Sequence, residues 1–121
     1  MKGTAGALLL VNGKYLLQLR DNNPAINMPN MWCGFGGHKL TGEKDRDAVV
    51  REVLEELCID VSDCEFFGVF SDVPIYVADV SNKNWSLREG QDCDVFSYEQ
   101  LRKKTNVCPI TLEAVRRHSE S

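Results

Sequence analysis

The chain is predicted to fold as an α+β protein. Three observations carry this: two apolar runs joined by Asn12-Gly13 at the start, helical periodicity over Asp45 to Leu57, and short apolar or alternating runs at 65–70 and 75–80. In order, residues 5–11 and 14–19 read as strands, because Asn-Gly between apolar runs is the strongest short-range hairpin signal in a single sequence. Asp21 to Gly37 is rich in Asn, Pro and Gly, with Pro24, Pro29, Gly34, Gly36 and Gly37, and reads as one long loop. The helix over Asp45 to Leu57 has apolar residues at 49, 50, 53, 54 and 57 and acidic residues in its first turn. Strands follow at 65–70, 75–80 and 93–97, and helices at Tyr98–Lys104 and Thr111–His118. No repeat or linker interrupts the chain, and 121 residues leave room for one core, so a single domain over 1–121 is expected.

Composition narrows the function classes. With 43% hydrophobic and 26% charged residues the chain has the usage of an ordinary globular protein, which excludes general disorder. A net charge of −4 gives no electrostatic footprint for a nucleic-acid backbone, so nucleic acid is not an expected partner. A phosphorylated substrate approaching an acidic protein needs local basic residues or a bound cation. The five cysteines, Cys33, Cys58, Cys64, Cys93 and Cys108, are odd in number and never spaced C-x-x-C, so they read as reduced thiols. His38 and His118 have no paired spacing, which argues against a zinc cluster. The apolar segment Ala5 to Val11 is too short to span a bilayer and no cleavage site follows it, so the expectation is a cytoplasmic protein without a membrane partner.

The chemistry gathers in residues 37–59, GHKLTGEKDRDAVVREVLEELCI. At about 100° per residue, Glu52, Glu55 and Glu56 fall in one sector of the helix beside the apolar stripe. Like charges three and four residues apart cost a few tenths of a kcal/mol per pair, so the grouping needs an offset. Hard divalent cations supply one, since Mg²⁺ binds through a few carboxylates together with substrate phosphates. The bland alternative is a solvated acidic face. Against it stand Gly36-Gly37, Gly42-Glu43 and Arg51, spaced as a loop that feeds the helix, with Arg51 four residues before Glu55.

This segment resembles the signature of the Nudix hydrolases, G-x5-E-x7-R-E-U-x-E-E-x-G-U with U a bulky aliphatic residue. Gly37, Glu43, Arg51, Glu52, Val53, Glu55, Glu56 and Ile59 all match it. Chance agreement at those positions is on the order of one in 10⁸ per starting point, which sets the solvated-face reading aside. The resemblance implies an α/β/α sandwich with a mixed central sheet. It also implies an enzyme, a pyrophosphohydrolase acting on a small-molecule nucleotide: a nucleotide sugar, a dinucleoside polyphosphate or a nucleoside triphosphate. Mg²⁺ or Mn²⁺ is the implied cofactor, with Glu52, Glu55 and Glu56 and the backbone carbonyl of Gly36 as ligands. Glu43 and Arg51 would orient those ligands, Glu56 or Glu52 would be the general base, and Glu89 is a further candidate ligand or base. Members of the family often form homodimers.

The chain departs from the pattern at Cys58, where glycine is usual, at Leu40, where many members carry glutamate, and at Phe35, where proline is common. A left-handed backbone at Cys58 would cost roughly 1–2 kcal/mol. Arg20 and Lys39 are candidates for phosphate contact. Among the aromatics, Trp32, Phe35, Phe66, Phe70 and Trp85 have the chemistry to stack on a base, with Phe35 the substrate-contact candidate, although packing is the ordinary role of such side chains. His38 is assigned no role. Two other functions compete with hydrolysis of a free nucleotide. One is a nucleotide-sensing module with little turnover, opposed by the intact glutamates. The other is an RNA 5′-end pyrophosphohydrolase, opposed by the acidic charge balance.

Overall fold

The computed structural model describes residues 3–121. Met1 and Lys2, included in the expected domain of 1–121, lie outside the described residues. The chain opens with β1 (Thr4–Val11) and β2 (Lys14–Leu19), an antiparallel hairpin that turns through Asn12 at φ 51° and Gly13 at φ 81°. Both turn residues need positive φ, which Asn and Gly tolerate.

β1 and β2 pair only near their turn, from Leu9↔Leu16 to Val11↔Lys14, and then part. The segment after the loop fills the gap. β3 (Trp32–Cys33) pairs with β2, and β4 (Phe35–His38) pairs with the start of β1. The expected loop from 21 to 37 therefore ends earlier, with strand at Trp32–Cys33 and Phe35–His38. Glycine in this segment signals close backbone approach and not a turn: a Cβ at Gly36, whose φ is +141°, would sit 2.2 Å from the Ala5 carbonyl oxygen.

Helix α1 (Asp45–Leu57) follows, then β5 (Glu65–Phe70) and β6 (Val73–Asp79), with β6 parallel to β1 and antiparallel to β5. β7 (Asp92–Phe96) pairs along the outer edge of β2, and the chain ends in α2 (Tyr98–Arg102) and α3 (Pro109–Ser119). The last helix starts two residues before its expected position because Pro109 occupies its first turn, where a missing N–H costs nothing.

Alternation along β1 divides the core. Ala5, Ala7 and Leu9 face α1, packing with Val49, Val53 and Leu57, while Leu8 faces the other side with Leu17, Leu101, Ala114 and Val115. A mixed sheet thus separates α1 from α2 and α3, the sandwich expected. No helix among the described residues is long and apolar enough to cross a membrane.

The phase of α1 differs from the expected stripe. Leu54 is 53% exposed, whereas Glu56 is 2% exposed and lies within about 20° of Val49 around the helix axis. The helix ends at Cys58, at φ 60° and ψ 31°, with its N–H donating to the Leu54 carbonyl. A left-handed cysteine is thus the strained alternative anticipated from the sequence, and it leaves the helix register intact. The Cys58 side chain is exposed, so shortening it loses little packing. Cys58→Gly removes roughly 1–2 kcal/mol of strain and adds about 0.5–1 kcal/mol of unfolded-state entropy, so a net gain of about 0.5–1 kcal/mol is expected in urea unfolding.

Candidate active site

The buried glutamate on α1 defines the site. Glu56 Oε1 accepts a hydrogen bond from the Gly36 N–H at 3.0 Å, and Oε2 accepts one from Gln18 Nε2 at 3.0 Å. Gln18 is itself 3% exposed and also donates to the Gly34 carbonyl at 3.4 Å. These donors fix the carboxyl without neutralising it. Burial, reinforced by the negative charges of Glu89 and Glu52, outweighs them and raises the Glu56 pKa from 4.5 to about 7.

Glu52 lies against the glycine strand. A Cβ at Gly37 would meet the Glu52 carboxyl carbon at 2.7 Å, so this close approach needs glycine. Arg51 supports the group from outside. Its Nε and Nη2 donate to the two carboxylate oxygens of Glu43 at 2.9 and 3.0 Å, Nη2 also to the His38 carbonyl at 3.0 Å, and Nη1 to Glu52 at 3.0 Å and Glu55 at 3.3 Å. The planar fork of arginine matches such a multiply bonded arrangement and lysine does not. Glu43 also accepts from the Leu40 N–H at 2.9 Å, and the Arg51 contact holds its carboxyl down at about 2.

The sequence-derived candidates separate here. Gly36, Glu52, Glu56, Glu89 and Arg20 line one cleft of about 360 Å³. Glu55 does not line it: its side chain is 52% exposed and reaches Arg51 on the outer face of α1. Among the described residues no three His, Cys, Asp or Glu side chains stand close enough to enclose a metal ion, so the expected trio of Glu52, Glu55 and Glu56 does not converge in this structure. The 100° step explains this, since it puts Glu56 inside the apolar stripe, Glu52 at its margin and Glu55 beyond it. Lys39 pairs with Asp45 at 2.8 Å and lies outside the cleft. Phe35 is 1% exposed and packs in the core beneath α1, so its ring is not free to stack on a base.

The cleft runs from the glutamates along β1 and β4 toward the start of α3, with Cys33, Cys108 and Thr111 on its far wall. Arg20, at the rim, donates Nε to the Asn27 carbonyl at 2.8 Å. Among the described lining residues it is the one arginine or lysine, facing the three glutamates 52, 56 and 89. An anionic ligand here therefore needs a compensating cation. Hard carboxylate oxygens, an adjacent Gly36 backbone and excess negative charge are the donor chemistry that suits Mg²⁺ or Mn²⁺. Gln18 went unremarked in the sequence; its signal was a lone polar residue inside the strand KYLLQL.

These carboxyls make opposite contributions to stability. Glu43 is depressed from 4.5 to about 2, so its stabilisation is complete above pH 4.5 and is lost as pH falls toward 2; Glu43→Gln should flatten acid unfolding in that window. Glu56 is raised from 4.5 to about 7, so its charged form destabilises the fold increasingly as pH rises through that interval. In chelator-treated protein at pH 8, Glu56→Gln is expected to raise unfolding stability by on the order of 2 kcal/mol, read from denaturant titrations.

Comparison with known proteins places the fold in a family. The family profile described as NUDIX domain matches residues 1–117. No curated protein matches the sequence. Similar folds occur in the MutT NUDIX hydrolase of Burkholderia pseudomallei (21% identity, 93% of this chain and 94% of that one, TM-score 0.79). They occur also in the Ap4A hydrolase of C. elegans, solved as a binary complex (20% identity, 97% and 96%, TM-score 0.76). A third is the NUDIX domain of Shewanella oneidensis NrtR complexed with ADP ribose (18% identity, 97% and 85%, TM-score 0.72). A family match across nearly the whole length, on a chain whose glycine strand and glutamate helix meet as described, establishes that this protein belongs to the NUDIX family.

Proposed function

We propose that this pyrophosphohydrolase cleaves a phosphoanhydride bond in a small nucleoside diphosphate linked to another moiety, with Mg²⁺ or Mn²⁺ as cofactor. The observation that carries the reading is the buried Glu56 carboxyl, held by Gly36 and Gln18 at one end of a cleft of about 360 Å³. That volume lies within the range of small-molecule sites. Two similar folds, the Ap4A hydrolase and the domain complexed with ADP ribose, were solved with names that point to the same ligand class.

In this reading Glu52, Glu55 and Glu56, the Gly36 carbonyl and Glu89 would hold the cation, with Glu55 paired to Arg51 in its absence. The cation, when bound, neutralises phosphate oxygens and lowers the pKa of an attacking water. The chain's own residues do the rest. Arg51, fixed by Glu43, holds Glu52 in place. Glu56 or Glu52 accepts the proton of the attacking water. Arg20 meets a phosphate at the cleft rim, and the apolar wall toward α3 takes the remainder of the nucleotide. Phosphorus is the centre attacked, because the nucleophile acts on an anhydride whose leaving group is a phosphate.

The test is a panel of nucleotide sugars, dinucleoside polyphosphates and nucleoside triphosphates with Mg²⁺ or Mn²⁺, following the released phosphate species. Metal-dependent hydrolysis is expected, reduced at least about 100-fold by Glu56→Gln. Tight binding of the same compounds without release of product would instead mark a sensing module.

A further inference from the structure

Two thiols that the proposed hydrolysis does not use stand together in the cleft wall. Trp32 forms a parallel bridge with Val107, its N–H donating to the Asn106 carbonyl at 2.8 Å and its carbonyl accepting from the Cys108 N–H at 2.9 Å. The next residue on each side is a cysteine. Neighbouring strands lie about 4.8 Å apart, within the Cα separation of about 4.4–6.8 Å that a disulfide spans. Cys33 and Cys108 are 7% and 9% exposed, free, and both line the cleft through which a small solute reaches them.

The surroundings distinguish the two sulfurs. The neighbouring Cys108 sulfur, together with burial, pushes the Cys33 thiol up. The same contact lowers Cys108 to about 6, helped by the N–H groups of Ile110 and Thr111 at the start of α3 and by the Thr111 hydroxyl. Those N–H groups are too loosely placed to count as a capping hydrogen bond, yet they favour the thiolate. The positive charge of Arg20 acts on Cys33 in the same direction. Cys108 is the N-cap residue of α3, where the N–H groups of the first turn favour a thiolate, so it has the setting of a nucleophile, with Cys33 beside it as the resolving thiol.

We propose that Cys33 and Cys108 are a redox-modification site, a dithiol that hydroperoxides convert to a disulfide joining β3 to the start of α3 across the cleft wall. The Cys108 thiolate attacks one peroxide oxygen, the O–O bond breaks, and hydroxide leaves with the proton that Cys108 shed on ionising. The Cys33 sulfur then attacks the resulting sulfenic acid; the S–S bond forms, the S–O bond breaks, and the Cys33 proton departs in water. Two thiols are oxidised by two electrons in all, and hydrogen peroxide is reduced to two waters. The bond also removes the thiolate that faces Thr111, whose hydroxyl oxygen accepts from the Gly34 N–H at 3.0 Å, so the redox state reaches the strand that leads to Gly36 and Glu56.

The experiment treats the folded protein with one equivalent of hydrogen peroxide, then alkylates it under denaturing conditions and maps its peptides without reduction. Cys58→Gly serves as background because it removes the exposed thiol, leaving four of the five cysteines. The expected result is a titratable thiol count lower by two and a single cross-linked peptide pair containing Cys33 and Cys108, both reversed by dithiothreitol. Cys33→Ser should instead leave a sulfenic acid at Cys108 that dimedone traps, and Cys108→Ser should leave none at Cys33. Wild-type mapping stands alone if either serine variant fails to fold. Both cysteines remaining free, a cross-link to another cysteine, or over-oxidation of Cys108 without a cross-link would each overturn the proposal.

Discussion

A carboxyl group built into the buried face of a helix is the constraint around which the rest of this molecule is arranged. Glu56 occupies a position on α1 that packing alone would give to an aliphatic residue, and it is kept there by the Gly36 N–H and the Gln18 amide. Leaving such a group without partners costs several kcal/mol, so those two donors are a requirement of the fold. Gly36 can donate only because residues 32–38 run as a strand wedged between β1 and β2, and that wedge exists because the opening hairpin parts beyond Leu9 and Leu16. The N-terminal strands, the glycine strand and the helix are thus tied to one oxygen pair.

Arg51 supplies the counterweight. Three glutamates within one and a half turns repel one another, and the guanidinium answers two of them while its other edge grips Glu43. The Glu43 contact is the rigid one, since two parallel bonds fix orientation as well as distance. The contacts to Glu52 and Glu55 share one nitrogen and lie at 3.0 and 3.3 Å, so these carboxylates are held more loosely. A strong anchor outside and weak contacts inside leave Glu52 and Glu55 able to move without loss of the scaffold.

Much of this was legible in the sequence, for reasons that differ by element. The hairpin, α1, β5 and β7 announced themselves through Asn12-Gly13 and through apolar periodicity, which are local signals. The strand over 32–38 was hidden because its glycines read as turn residues, and only the partner strand shows that they admit close backbone contact. Glu52, Glu56, Glu89, Gly36 and Arg20 do meet in one cleft, whereas Glu55 and Lys39 do not line it and Phe35 lines it with a side chain buried in the core. On α1 the expected stripe holds Leu54 and sets Glu56 beside it, whereas the helical phase puts Glu56 in the buried arc and Leu54 outside, a distinction that residue hydrophobicity does not make. Gln18, Cys33 and Cys108 depend on contacts between residues far apart in the chain, which a single sequence does not encode locally.

The two faces of the sheet carry unequal chemical obligations. On the α1 side, each residue near Glu56 is fixed by geometry: a side chain at Gly36 strikes Ala5, one at Gly37 strikes Glu52, and Gln18 must supply a donor. On the α3 side, Ile110 and Ala114 contribute apolar wall whose packing tolerates exchange far better than a network of hydrogen bonds does, while Thr111 accepts from the Gly34 N–H. A substitution there reshapes the space offered to a ligand while the carboxylates and their supports stay in place. The buried carboxyl and the thiol pair therefore stand at two parts of one cleft joined by the chain from Cys33 to Gly36, and a change in the redox state of one wall has a short covalent path to the other.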